Sequence, residues 1–106
     1  MSDRLEVTVS NHPVRNRWEA ITTNGDAAGY IEYASTEDVV VLEHVVVQPK
    51  YEGHGVGSTL VRQALDEVRA EGSRAVVPLC PFARTWITKH PEYIPLVYGE
   101  AAPAAD

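Results

Sequence analysis

The feature that most constrains the fold of this chain is a glycine-rich segment between a strand-like run and a helix-like run. Gly53, Gly55 and Gly57 stand at alternate positions after Val39–Val47, which is dense in β-branched residues. In the following segment, 59–72, apolar residues recur at helical spacing up to a terminal glycine. A strand, loop and helix in this order bring successive backbone N–H groups and the positive end of the helix dipole together. This arrangement is typical of an anion site that suits a pyrophosphate.

Three alternatives bear on this loop. A P-loop is excluded because no Gly-Lys-Ser or Gly-Lys-Thr follows, and the dinucleotide fingerprint is excluded because its third glycine is missing. A flexible connection between strand and helix, with no ligand, remains open.

Length and composition indicate one soluble unit. The chain has 106 residues, of which 44% are hydrophobic and 23% charged, which predicts a single folded domain over residues 1–100 with a frayed tail at 101–106. A formal net charge of -6 argues against nucleic acid as a partner. The single cysteine fits a reducing compartment, and the absence of a signal-like or membrane-length apolar run predicts a cytoplasmic protein with no membrane partner.

The periodicity predicts a mixed α+β fold. Alternating or β-branched runs predict an antiparallel meander of about four strands, at 5–10, 18–23, 28–33 and 39–47. The helix at 59–72 then crosses over to a short strand at 75–79, which we expect to lie parallel to Val39–Val47. Pro81 opens a C-terminal helix that His90-Pro91 ends.

Two groups of motifs carry a family resemblance. The segment Glu52-Gly53-His54-Gly55-Val56-Gly57 resembles the Gln/Arg-x-x-Gly-x-Gly/Ala motif of the Gcn5-related N-acetyltransferase (GNAT) superfamily. His44, the run Val77-Pro78-Leu79-Cys80-Pro81-Phe82 and the run Lys89-His90-Pro91-Glu92-Tyr93 resemble a subfamily of very small GNAT-like proteins. The combined resemblance covers residues 18–93.

The chain departs from these patterns at two loop positions. Glu52 stands where the superfamily usually has Gln or Arg, and His54 stands where the subfamily usually has Arg. We expect Glu52 to turn away from a pyrophosphate, and we expect weaker binding of coenzyme A than in the family. The chain also lacks the N-terminal helices of larger relatives, so we expect the acceptor side to be open or completed by another subunit in a homodimer.

The resemblance implies that acetyl-CoA is the cosubstrate. Its pantetheine arm would lie where the strands at 39–47 and 75–79 splay apart, and a backbone N–H of Val46 or Val47 would polarise the thioester carbonyl. The pyrophosphate would rest on the backbone amides of six loop residues, which are Gly53, His54, Gly55, Val56, Gly57 and Ser58.

Cys80 is the sharpest candidate for a nucleophile. It follows a buried strand and precedes the helix that Pro81 opens, where the helix dipole favours a thiolate. A thiolate close to the thioester could take the acetyl group covalently. The alternatives are that Cys80 is a small buried apolar residue and that an amine attacks acetyl-CoA directly.

Direct attack by a protonated amine needs a base, and two neighbours compete for that role. Histidine titrates near neutral pH, and His44 occupies a position to which the subfamily resemblance points. Glu43 is the alternative, and strand alternation predicts that only one of the two faces the site. The other reading of His44 is a hydrogen-bonded core histidine. Tyr93 is a further candidate, as the acid that protonates the leaving thiolate.

These observations predict an acetyl-CoA-dependent N-acetyltransferase that acts on a small amine or a lysine-type side chain. The alternative is a regulatory module that binds acetyl-CoA or coenzyme A without turnover, and a scaffold without ligand comes third. The histidines and Cys80 have no metal-ligand spacing, so we expect no metal.

Overall fold

A computed structural model describes residues 5–100. Within this part of the chain the strands are β1 (Val7–His12), β2 (Arg17–Thr22), β3 (Ala27–Ser35), β4 (Val39–Val47) and β5 (Ala75–Pro78), and the α-helices are α1 (Val56–Glu71) and α2 (Pro81–Thr88). Short 3-10 helices cover Pro13–Arg15, Pro49–Tyr51 and Pro91–Leu96. The predicted tail at 101–106 lies outside the described residues.

The strands form one mixed sheet in the order β1-β2-β3-β4-β5. The first four are antiparallel neighbours, and β5 lies parallel to β4 after the crossover through α1. The predicted α+β fold, an antiparallel meander followed by helix, parallel strand and helix, is therefore confirmed.

The core forms where the apolar stripe of α1 packs against the sheet. Leu60 and Leu65 of α1 are fully buried with Ile31 of β3, Leu42 of β4 and Val76 of β5. Burial of each such side chain contributes about 2 kcal/mol of hydrophobic free energy. This core fixes the position of the N-terminus of α1 relative to β4.

Helix α1 begins three residues earlier than the predicted 59, at Val56. Gly55 is its N-cap with φ of 84°, and its carbonyl oxygen accepts the N–H of Thr59 at 3.0 Å. The glycine spacing suggested a longer loop, but the left-handed backbone at Gly55 is sufficient to start the helix. Val56, Gly57 and Ser58 therefore belong to the first turn.

The 3-10 helix at Pro91–Leu96 is absent from the predicted elements. The chain beyond it returns to the sheet, where the Tyr98 N–H donates to the Val76 carbonyl at 2.8 Å and Val97 forms a parallel bridge with Val76. The sequence of this 3-10 helix contains two prolines and no helical periodicity, so the helix depends on tertiary contacts.

A β-bulge interrupts β4 at Glu43. His44 pairs with Glu32, and Leu42 pairs with the next residue of β3, so Glu43 has no partner in the register. A bulge reverses the alternation of the strand beyond it. Burial still alternates along residues 43–47, with Glu43 half-buried and His44 exposed, and backbone or side-chain atoms of both residues line one cavity.

Strands β4 and β5 separate beyond the last pair of their ladder, Leu42 and Pro78. The N–H groups of Leu79 and Cys80 both donate to the Leu42 carbonyl, at 3.0 Å and 3.1 Å. Pro81 then begins α2 and turns the chain away. Residues 43–47 of β4 consequently have no β5 neighbour, and we call them the open edge.

Candidate active site

The glycine loop presents backbone rather than side chains. Gly53 and Gly55 have φ of 83° and 84°, and both are conformations that L side chains rarely adopt. They lead directly into the first turn of α1, whose N–H groups lack partners within the helix. The loop therefore has the amide-rich geometry that binds anions.

A first cavity, which we call the loop cavity, lies between this loop and the open edge. Its volume is about 350 Å³, and its lining residues are Val45, Val47, Tyr51, Glu52, Gly53, Gly55, Val56, Gly57, Ser58 and Phe82. All the predicted loop residues except His54 are among them. His54 is half-buried, and its carbonyl oxygen accepts the Leu5 N–H at 3.0 Å.

Two residues that line the loop cavity, Tyr51 and Glu52, have ionisable side chains. Glu52 is exposed and belongs to the lining, so its carboxylate lies in solvent near the loop. The Tyr51 hydroxyl donates to Asp26 Oδ2 at 2.8 Å, and this hydrogen bond raises the pKa of Tyr51 above its usual value. Tyr51 therefore stays neutral at physiological pH.

A second cavity, which we call the edge cavity, lies on the other side of the open edge. Its volume is about 530 Å³, and its lining residues are Glu43, His44, Val45, Val46, Leu79, Cys80 and Pro81. It brings together Cys80 and His44, the two predicted catalytic residues, and the alternative base Glu43. His44 is exposed, so the core-histidine reading is wrong. Cys80 is 8% exposed and is the N-cap of α2.

Val45 lines both cavities. The sequence reasoning missed it because nothing in a run of valines distinguishes the one at which two cavities meet. It also missed Tyr51 and Phe82, although Phe82 stands within the quoted run.

The direction of the backbone groups along the open edge follows from two contacts with β3. The Gln48 N–H donates to the Ala28 carbonyl at 2.9 Å, and the Val46 carbonyl oxygen would lie 2.5 Å from a Cβ added at Gly29. Both groups thus face β3. Since backbone groups of successive residues alternate between the two edges of a strand, those of Val45 and Val47 face the gap.

Helix α2 supports the loop through two contacts. The Trp86 indole N–H donates to Ser58 Oγ at 2.6 Å, and Trp86 is buried and stacked on His90 with ring centroids 3.8 Å apart. The Phe82 ring lies so close to Gly57 that an added Cβ would meet its Cζ at 2.9 Å. Gly57 is therefore required for close packing under Phe82 rather than for an unusual φ.

Tyr93 does not face either cavity. Its hydroxyl donates to Asp66 Oδ1 at 2.6 Å, and its ring packs against Trp86 in the core. The hydrogen bond to Asp66 raises the pKa of Tyr93, which makes it a poorer acid than free tyrosine. Its proposed role as the acid for a leaving thiolate is not supported by this position.

Two kinds of feature are absent from residues 5–100. Their histidine, cysteine and carboxylate side chains form no group of three or more that could hold a metal ion. None of their helices is long and apolar enough to cross a membrane.

Solved structures share this fold. An NMR structure of a GCN5-like protein from Staphylococcus aureus aligns with a TM-score of 0.62 and 22% identity over 92% of this chain and 90% of that chain. The crystal structure of the GNAT family N-acetyltransferase YhbS from Escherichia coli in complex with CoA aligns with a TM-score of 0.56 and 19% identity, over 71% of this chain and 62% of that chain. At these identities the likeness concerns the fold alone.

The sequence itself supplies the family assignment. No curated protein sequence matches the chain significantly. The family model for the GCN5-related N-acetyltransferase matches residues 17–96, which span all of the open edge, the glycine loop and both helices. The match covers most of the chain and agrees with the strand-loop-helix order and with the solved neighbours, and the chain belongs to the GCN5-related N-acetyltransferase family.

Proposed function

We propose that this protein transfers the acetyl group of acetyl-CoA to a primary amine. The observation that carries the proposal is that the loop cavity and the edge cavity share Val45 at the open edge. An extended cosubstrate lying along that edge would present its reactive end to Cys80 and His44. Family membership and a CoA-bound neighbour of the same fold support the choice of cosubstrate.

The pyrophosphate of coenzyme A would rest on the glycine loop. Gly53 and Gly55 let the backbone approach a phosphate oxygen closely, and the first turn of α1 supplies further N–H groups. The exposed carboxylate of Glu52 at the cavity mouth repels a second anion, so we expect weaker binding of coenzyme A than a glutamine or arginine would allow.

The pantetheine arm would lie along the open edge as a further strand-like partner. The backbone groups of Val45 and Val47 face that gap, whereas the Val46 carbonyl faces β3. This favours Val47 over Val46 as a backbone partner and adds Val45. A preorganised N–H at Val45 would stabilise the oxyanion that develops on the thioester carbonyl.

In direct transfer, His44 is the proposed base. The exposed imidazole would take a proton from the ammonium group of the acceptor, and the free amine would attack the acetyl carbonyl. The carbon–sulfur bond to coenzyme A then breaks, and its thiolate leaves and is protonated from solvent. Glu43, which lines the same cavity, is the alternative base.

In covalent transfer, Cys80 accepts the acetyl group first. His44 takes the Cys80 thiol proton, the thiolate attacks the thioester, and the coenzyme A thiolate leaves as acetyl-Cys80 forms. The amine then attacks acetyl-Cys80 and regenerates the cysteine. The shared lining of Cys80 and His44 supports this route, and the buried-residue reading of Cys80 competes with it.

Calorimetric titration with acetyl-CoA and coenzyme A, with ATP and NADH as controls, tests the cosubstrate. We expect binding of the coenzyme A compounds alone, and absence of binding at millimolar ligand would overturn the proposal. Binding without transfer to any amine would instead indicate the non-catalytic module.

Intact-mass measurement after mixing with acetyl-CoA tests the covalent route. We expect a gain of one acetyl group on the wild-type chain and none on Cys80→Ala. If Cys80→Ala retains full transfer to an amine, transfer is direct and Cys80 is a packing residue.

A further inference from the structure

The edge cavity, in which the proposed function places the acceptor, has walls of two distinct kinds. The lining combines the polar residues Glu43 and His44 with the apolar residues Val46, Leu79 and Pro81. None of the lining residues is lysine or arginine. This division describes a ligand that is cationic at one end and apolar along its length.

The apolar residues of the edge cavity are exposed, because no segment among residues 5–100 covers them. Leu79 is 55% exposed and Val46 is 38% exposed, whereas most large apolar side chains of residues 5–100 are buried or half-buried. Both lie beside Cys80 rather than on a remote face. Exposed apolar surface that rims a polar site commonly marks where a ligand packs.

The polar side carries an uncompensated charge. Glu43 is half-buried at the bulge, and among residues 5–100 its carboxylate makes no ion pair. Several other carboxylates of the sheet and helices, such as Glu19 and Glu71, do have cationic partners. A partly desolvated carboxylate without a partner attracts an ammonium group and repels an acceptor that carries its own carboxylate nearby.

We propose that the acceptor is a primary alkylammonium whose charged end lies against Glu43 and whose apolar stem covers Val46 and Leu79. The inference rests on the proposed function and names its substrate class. A free alkylamine and the side chain of a lysine share this chemistry. Polyhydroxylated amines would leave Leu79 exposed, and acidic amines would be repelled by Glu43.

Two amines of equal length test the stem. Hexylamine and 2-(2-aminoethoxy)ethanol both have seven heavy atoms, but the second has oxygens along its stem. With acetyl-CoA as donor and product formation followed by mass spectrometry, we expect kcat/KM for hexylamine to be about tenfold higher, because each buried methylene is worth about fourfold. Nα-acetyl-lysine methylamide, compared with hexylamine, distinguishes a peptide source from a free amine.

Four variants locate the residues that set the preference between the two amines. We expect Leu79→Asn to reduce the tenfold ratio to about twofold, whereas Leu79→Met retains it. Val14→Asn alters a residue that is 98% exposed in the Pro13–Arg15 turn and is the matched control for a surface apolar-to-polar change. Glu43→Gln should raise KM for hexylamine about tenfold, because an ammonium loses its charged partner.

The outcomes separate this inference from the proposed function. Transfer to both amines at equal kcat/KM, unchanged in Leu79→Asn, would overturn the alkylammonium inference and leave the acetyltransferase intact. Absence of transfer to every amine, while coenzyme A still binds, would overturn both.

Discussion

The two cavities that share Val45 are built from different parts of the chain. The loop cavity takes its anion-binding character from backbone amides held by glycines, whereas the edge cavity takes its chemistry from the side chains of Glu43, His44 and Cys80. The geometry of the first cavity depends on backbone conformation, whereas the side chains of the second can differ without changing the fold. We therefore expect the loop cavity and the edge cavity to lose function under different kinds of substitution.

A side-chain change in the edge cavity should have the largest effect. We expect His44→Gln to lower kcat/KM for amine acetylation by about 10²–10³-fold, because glutamine cannot accept the proton. The affinity for acetyl-CoA, measured by calorimetry, should stay within about twofold.

His12→Gln is the matched control, since His12 lies on β1 beside Glu19 and away from both cavities. Equal loss of activity in the two variants would contradict a role for His44 in the edge cavity.

A backbone change behind the open edge should act on stability. A Cβ at Gly29 would lie 2.5 Å from the Val46 carbonyl oxygen and 3.2 Å from the Val47 Cα, both of which are backbone atoms of β4. We expect Gly29→Ala to lower the free energy of unfolding by about 3 kcal/mol in a denaturant titration. Gly25→Ala, which meets nothing within 4 Å but has φ of 90°, should cost only about 1 kcal/mol.

A backbone change in the glycine loop should weaken the binding of the cosubstrate. Gly55→Ala places a side chain at φ of 84°, and we expect the dissociation constant for coenzyme A to rise about tenfold as the loop distorts. Gly72→Ala adds comparable strain at φ of 78° at the other end of α1. If Gly72→Ala weakens coenzyme A equally, the effect comes from helix stability and not from the anion site.

Removal of the hydrogen bond from the Trp86 indole to Ser58 should have a smaller effect on the binding of coenzyme A in the loop cavity. Trp86→Phe keeps the stacked ring but removes the donor to Ser58, so we expect about 1 kcal/mol of lost stability and a three- to fivefold weaker coenzyme A complex. Trp18→Phe removes an equivalent bond to Glu67 at 2.9 Å on the other side of α1. It should cost similar stability without changing the affinity.

We expect Tyr93 to affect the free energy of unfolding and its dependence on pH, and not acetyl transfer. Its hydrogen bond to Asp66 raises the pKa of Tyr93, so the stabilisation is fully present below the unfolded value of about 10 and is lost as pH rises through the folded value. We expect Tyr93→Phe to cost about 1 kcal/mol at pH 7 and to lose less stability than wild type on alkaline titration. Tyr98→Phe, which alters a side chain 67% exposed, is the control and should change neither.

The sequence predicted the parts of this fold that local signals define. The β-branched run gave the bounds of β4, Asn24-Gly25 placed the turn between β2 and β3, and the apolar stripe with Gly72 placed α1. The glycine loop between β4 and α1 also followed from residues close together in the chain, and its binding of an anion stays a prediction.

The sequence could not predict features that depend on partners far apart. The bulge at Glu43 is defined by its register with β3, and the 3-10 helix at Pro91–Leu96 is defined by its return to β5. For the same reason, the valine at the junction of the two cavities could not be distinguished from its neighbours. The roles of Cys80, His44 and the loop residues stay predictions until the variants above are measured.

The bulge at Glu43 makes the number of residues in β4 important for the shape of the open edge. One unpaired residue bends the strand close to the point where β4 and β5 separate. Loss of Glu43 would join Leu42 directly to His44, whose partners Tyr33 and Glu32 are already adjacent, so the ladder would become regular and the local bend of the strand would be lost. A deletion at this point would therefore change the shape of the open edge while it keeps every paired residue, and we expect it to impair acetyl transfer.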